Sequence, residues 1–149
     1  MTDRAAREAL VREHMDSENR HEFDATLKTF GHPRYEIVAT GQVHDGPAEV
    51  AAYYRATRTA FPDQRNELVS LRHADDAVFV EFDLLGTHLG ELYGFPPTGR
   101  SFRCRMLAVF LFEEEREAGR EEERLVCERV YFDTATVLTQ LGLMPGLPL

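Results

Sequence analysis

Hydrophobic positions change their period partway along the chain. Up to about residue 62 they recur mostly every three to four residues, and from about residue 65 onward they alternate. In the first part, Ala5, Leu10, Val11 and Met15 lie close to helical spacing behind Thr2 or Asp3, either of which suits an N-cap. This predicts a helix from about residue 3 to about residue 18. Phe23, Leu27 and Phe30 predict a short second helix, stopped by Gly31 and Pro33. Tyr35 to Thr40 alternates weakly and reads as an edge strand, ended by Gly41 and the turn Asp45-Gly46-Pro47. Pro47 fits the first turn of a third helix carrying Val50, Tyr53, Tyr54, Thr57 and Phe61, which must end before Pro62. Tyr53 and Tyr54 are adjacent, so only one of them can point squarely inward, with its hydroxyl in reach of polar groups or simply packed in the core.

The second part reads as strands: Asn66 to His73, a turn at Asp75-Asp76, Ala77 to His88, Ser101 to Phe112, and Leu125 to Phe132. In the run from Ala77, Val78, Val80, Phe82 and Leu84 share one side, with Glu81 and Asp83 opposite. Continuing that register places His88 on the apolar side, unless Gly86 introduces a bulge. Phe102, Cys104, Met106, Ala108 and Phe110 form the next apolar row. In the last strand Leu125, Cys127, Arg129, Tyr131 and then Asp133 make a mixed row, unlike the apolar row Val126, Val130 and Phe132. A mixed row suits a polar-lined pocket. Thr134-Ala135-Thr136-Val137-Leu138 begins a terminal helix behind Asp133. Helices followed by consecutive strands imply an α+β architecture, a bent antiparallel sheet with helices over one face.

The linker Leu85 to Arg100 is too particular to be filler. Gly86, Gly90, Gly94 and Gly99 alternate with Pro96-Pro97, giving a long but stiff connection. Its run Gly-Thr-His-x-Gly-Glu-x-x-Gly-x-Pro-Pro-Thr-Gly-Arg, residues 86 to 100, resembles the corresponding loop of the SnoaL-like polyketide cyclases and ester cyclases, a branch of the nuclear transport factor 2-like (NTF2-like) superfamily. Gly46-Pro47, Ala60-Phe61-Pro62-Asp63, Val130-Tyr131-Phe132-Asp133 and Gln140-Leu141-Gly142 follow in that family's order. The resemblance implies a cone-shaped fold over the whole chain, N-terminal helices on the concave face of the sheet, an open pocket for a small hydrophobic molecule, and a homodimer. It implies chemistry without a cofactor or metal: a carboxylate removes a proton beside a carbonyl, an aldol closure or isomerisation follows, and the proton is returned. The family's aspartate corresponds to Asp133. Where such chains often read Ile-Val-Glu-His-Trp, this one reads Leu125-Val126-Cys127-Glu128-Arg129, which sets Cys127 and Arg129 at the Glu and Trp positions.

A chain of 149 residues with 43% hydrophobic content makes a single domain able to bury its own core. The net charge of −9 disfavours nucleic acid and anionic membranes. Much of that charge lies in Glu113 to Arg124, seven Glu against three Arg, which reads as an extended acidic hairpin loop rather than a cation site. No membrane-length apolar run and no leader-like start is present, so a cytoplasmic protein with Cys104 and Cys127 reduced is the expectation.

Asp133 is the leading candidate for acid/base work, which needs a carboxyl group whose pKa is raised by an apolar pocket. Its competing role is N-cap of the last helix, worth about 1 kcal/mol. His88 is the second candidate, as a proton relay or as an anchor of the Gly-rich loop. Tyr53, Tyr54, Arg129, His14 and Tyr131 are candidate substrate contacts. His14 neighbours the apolar stripe of the first helix, and Arg129 either recruits an anionic group or pairs outward with Glu81 or Asp83. If no chemistry occurs, the same cone serves as a ligand-binding or dimerisation module.

Overall fold

The computed structural model describes residues 2–114 and 122–145. Four helices and six strands follow in the order α1 (Arg4–Asn19), α2 (Phe23–Lys28), β1 (Arg34–Ile37), β2 (Gln42–Asp45), α3 (Pro47–Ala60), β3 (Arg65–His73), β4 (Ala77–Thr87), β5 (Ser101–Phe112), β6 (Leu125–Tyr131) and α4 (Thr134–Gln140). The acidic segment expected at 113–124 joins β5 to β6. Its residues 115–121 lie outside the described residues.

The strands form one sheet in the order β2-β1-β6-β5-β4-β3. Every neighbouring pair is antiparallel except β1 and β6, which run parallel through Glu36 opposite Arg129. That parallel join was not foreseen, and neither was β2. Its sequence Gln-Val-His-Asp has no apolar alternation to announce a strand, so pairing with β1 decides its conformation.

Alternation then sorts the sheet into two faces. Val78, Val80, Phe82 and Leu84 stand beside Phe110, Ala108, Met106 and Cys104, and together with Val130 they pack beneath α1, α2 and α3. α1 presents Arg7, Val11, His14 and Met15 to this core at helical spacing. Asp3 caps it by accepting from the Ala6 amide at 2.9 Å. α3 opens with Pro47 behind Gly46, whose φ of 90° only glycine adopts readily, and buries Val50 and Tyr54. The opposite sheet face carries Phe79, Leu107 and Tyr131 around an open groove of about 830 Å³. Among the described residues no helix is long and apolar enough to cross a membrane.

Candidate functional site

At the heart of the cone α1, the residue that follows α2, β1, α3 and β6 each contribute a polar side chain to one buried cluster. His14 on α1 is fully buried, with Phe30 and Phe110 edge-on to its ring at 5.2 Å. The Thr29 hydroxyl donates to the Thr26 carbonyl at 2.6 Å, so it accepts from His14 Nδ1–H at 2.8 Å. The proton on Nδ1 is thereby fixed, and Nε2 faces the rest of the cluster. Nε2 lies 3.0 Å from Glu18 Oε1, 2.8 Å from the Tyr35 oxygen and 3.7 Å from Glu128 Oε1. Tyr35 donates to Glu18 Oε1 at 2.7 Å, leaving its oxygen to accept from the Tyr54 hydroxyl at 2.8 Å. Arg58 on α3 lies over the Phe23 ring and brings NH2 to 3.6 Å from Glu18 Oε2.

Charge explains the arrangement. Burial alone would lower the His14 pKa, but Glu128 and Glu18 outweigh it and hold the imidazolium to about 9. Burial pushes Glu18 up, yet His14, Arg58 and Tyr35 together bring it down to about 2. Glu128 goes the other way: burial raises it, the neighbouring Glu18 adds to the rise, and His14 at 3.7 Å offsets only part. Two carboxylates sharing one imidazolium are thus split into a firmly ionised Glu18 and a Glu128 that binds protons more readily. Burial likewise lifts Tyr35, Tyr53 and Tyr54, keeping the phenols protonated as donors.

His14 Nε2 and one oxygen each of Glu18 and Glu128 all lie within 4.8 Å of one another, a donor set that could hold a divalent cation. A metal would need Nε2 deprotonated, and a pKa of about 9 sets the proton against it near neutral pH.

The expected pocket row on β6 is corrected by the register. Phe110 stands opposite Glu128 and Ala108 opposite Val130, and a bulge after Leu111 sets Phe112 opposite Leu125, so the inward residues are Leu125, Glu128 and Val130. Cys127, Arg129 and Tyr131 stand with Leu111, Val109 and Leu107 on the other face. Arg129 pairs there with Glu36 at 2.7 Å, not with Glu81 or Asp83. The inward side of β6 carries a glutamate of its own, Glu128, one position after Cys127.

The sequence candidates fall into three places. His14 and Tyr54 join the cluster directly, and Tyr53 stands against it with its ring centroid 5.5 Å from that of Tyr35. Asp133 and Tyr131 line the groove on the opposite face. There Asp133 caps α4, its two oxygens accepting from the Ala135 amide at 3.1 Å and the Thr136 hydroxyl at 2.9 Å. His88 is fully buried on the concave side, as the β4 register implied. Its Nδ1 accepts from the Thr98 amide at 3.2 Å, which ties the glycine-rich loop to the strand end, and its ring packs on Phe61. Glu18, Tyr35 and Glu128 were missed. A lone carboxylate in the inward row of β6 was the available signal for Glu128, and the four-residue step from His14 was the signal for Glu18.

Beside the cluster, α3, β2 and the 88–100 loop enclose a cavity of about 370 Å³ at the mouth of the cone, with Tyr53 as the common wall. His44 stacks on Tyr53 at 4.6 Å.

Comparison with known proteins gives these features a setting. The sequence matches the SnoaL-like polyketide cyclase family over residues 8–141. Among solved structures, AclR of Streptomyces galilaeus superposes with a TM-score of 0.77 at 22% identity, covering 98% of this chain and 87% of that one. IdmH of Streptomyces antibioticus gives 0.70 at 24% identity over 91% and 97% of the two chains. An NTF2-like protein of Burkholderia pseudomallei gives 0.71 at 20% identity over 89% and 95%. These likenesses establish the NTF2-like fold. No curated protein sequence matches the chain.

Proposed function

Because the chain belongs to the SnoaL-like polyketide cyclase family, we propose that it is a cyclase-type enzyme performing acid/base chemistry on a hydrophobic carbonyl compound. It uses side chains alone and works as a cytoplasmic homodimer joined through the exposed sheet face. The observation that carries this reading is the split pair of buried carboxylates around His14, with Glu128 raised and Glu18 lowered. A carboxylate of raised pKa is a stronger base than an ordinary one.

In the proposed cycle Glu128 takes the proton from carbon beside a carbonyl, and the resulting enolate is stabilised by a tyrosine hydroxyl at the cone mouth. The enolate carbon attacks a second carbonyl carbon of the same molecule. A carbon–carbon bond forms, the second C=O π pair moves to oxygen, and that alkoxide receives the proton held by Glu128. His14 remains an imidazolium throughout and keeps Glu18 ionised, so the cluster's only mobile proton is the one on Glu128.

Asp133 stands as the rival base, and two substitutions separate them. Glu128→Gln is expected to lower kcat by about 100-fold or more while the circular-dichroism spectrum is kept, whereas Asp133→Asn keeps turnover. The reverse pattern would move the chemistry to the Asp133 groove. Asp133→Ala loses the cap and about 1 kcal/mol of stability in either case. A non-catalytic binding module is the second reading, favoured by the completeness of the cluster: His14, Tyr35 and Glu18 are already mutually hydrogen-bonded without a substrate. No turnover by the wild type of any carbonyl substrate tried supports that module, whereas full activity of both variants removes both carboxylates from the mechanism.

A further inference from the structure

The mouth cavity has a chemistry of its own. Its volume of about 370 Å³ falls among small-molecule sites, which span roughly 300–1,000 Å³. The charged side chains lining it are Glu49 from α3 and Glu91 from the loop, with no Lys or Arg among the described lining residues. Glu49 Oε2 accepts from the Asp45 amide at 2.8 Å. Arg58, on the same helix, is committed elsewhere: it donates to the Thr57 hydroxyl at 2.9 Å, lies over Phe23 and faces Glu18. Three rings, Tyr53, His44 and Tyr93, also line it, with the Tyr93 hydroxyl 3.4 Å from Gln42 Oε1. His44 Nε2 is buried in this wall and has no hydrogen-bond partner among the described residues. A buried ring nitrogen without a partner is a group that gains on meeting a ligand.

Carboxylates of one sign beside aromatic faces select for positive charge, by Coulomb attraction and by the ring quadrupoles. The net charge of −9 acts in the same sense at long range. We propose that this cavity receives a protonated amine carried by the substrate, balanced by Glu49 and Glu91, with His44 Nε2 bonding a polar atom of the same ligand. The inference deepens the carbonyl-substrate reading by naming a class: an amine-bearing ketone, with carboxylate-bearing analogues rejected.

Binding, rather than turnover, tests it. Acetophenone, 4-(aminomethyl)acetophenone and 4-acetylbenzoate are titrated into the wild-type protein near neutral pH, with Kd and the ring signals of Tyr53 and Tyr93 followed by NMR. The ammonium probe is expected to bind about tenfold or more tightly than the carboxylate, with the neutral ketone between them. Glu49→Gln/Glu91→Gln should erase the order while leaving the neutral ketone's Kd within about twofold, and His44→Phe should weaken all three probes. Equal affinities, an inverted order, an order that survives the double substitution, or no binding of the ammonium probe at millimolar concentration each overturns the proposal. Because Glu128 is untouched in these variants, the outcome is separate from that of the acid/base test.

Discussion

Replacing His14 with Gln probes the buried cluster most directly. The substitution removes the imidazolium and leaves Glu18 and Glu128 facing each other, with Arg58 at 3.6 Å from Glu18 as the remaining nearby cation. Two routes give the size of the loss. Removing one partner of a buried ion pair costs about 3–5 kcal/mol. Alternatively, the rise of His14 from 6.5 to about 9 amounts to roughly 3 kcal/mol at about 1.4 kcal/mol per unit. The routes agree near 3 kcal/mol, which for a chain of this size lowers Tm by about 10 °C. The pH dependence follows from the direction of the shift. A folded pKa above the unfolded one means that the His14 contribution is complete below pH 6.5 and is lost as pH rises through about 9. Glu18 behaves oppositely: its contribution is present above pH 4.5 and is lost as pH falls toward about 2. Urea denaturation of the wild type below pH 6.5 and above pH 9 should therefore show the protein weakening on the alkaline side. His14→Gln should be weaker throughout and lack that alkaline step, and Glu128→Gln added to it should recover part of the loss by removing one uncompensated carboxyl group. A single-variant loss under about 1 kcal/mol, or an alkaline step unchanged without His14, would refute the imidazolium assignment.

Two further outcomes are expected. Gly90→Ala would drive a methyl group into the backbone carbonyl of Thr59, which cannot swing aside. The amides of Leu89 and Gly90 would then leave the Ala60 carbonyl, costing about 1–3 kcal/mol and exposing the 88–100 loop to limited proteolysis, whose rate checks it. Both cysteines are buried and burial pushes their thiols up, Cys127 to about 12. A disulfide reagent should thus react slowly with the native protein and fast in denaturant, and rapid native labelling would contradict the burial.

Much of the fold was legible because its signals are local. Period-two rows named the concave face of β4 and β5 correctly, and Pro47 and Pro62 bracketed α3 to within a residue or two. What escaped depends on distant partners. β2 exists because β1 is beside it, and the parallel join of β1 to β6 leaves no trace in either segment. At the site, His14 and Tyr54 drew notice as polar or aromatic residues on apolar helix faces. Glu18 and Glu128 did not, because a glutamate near a helix end or amid charged neighbours reads as solvated until an imidazole is found opposite. The β6 row was misjudged for a related reason: Arg129 and Tyr131 look like pocket chemistry, but a strand's faces are decided by what its neighbours bury.

The parallel join has a consequence for how the molecule is made. Glu36 and Arg129 are 93 positions apart, yet they sit side by side. During synthesis the β1–β2 hairpin, with α1 already carrying His14 and Glu18, therefore waits for most of the chain before β6 arrives between it and β5. Closing so long a loop favours late assembly. When β6 inserts, a slip of one residue would push Cys127 or Arg129 under the helices and turn Glu128 away from His14. The register that brings Glu128 to His14 thus gains a contact that a strand slipped by one residue forfeits.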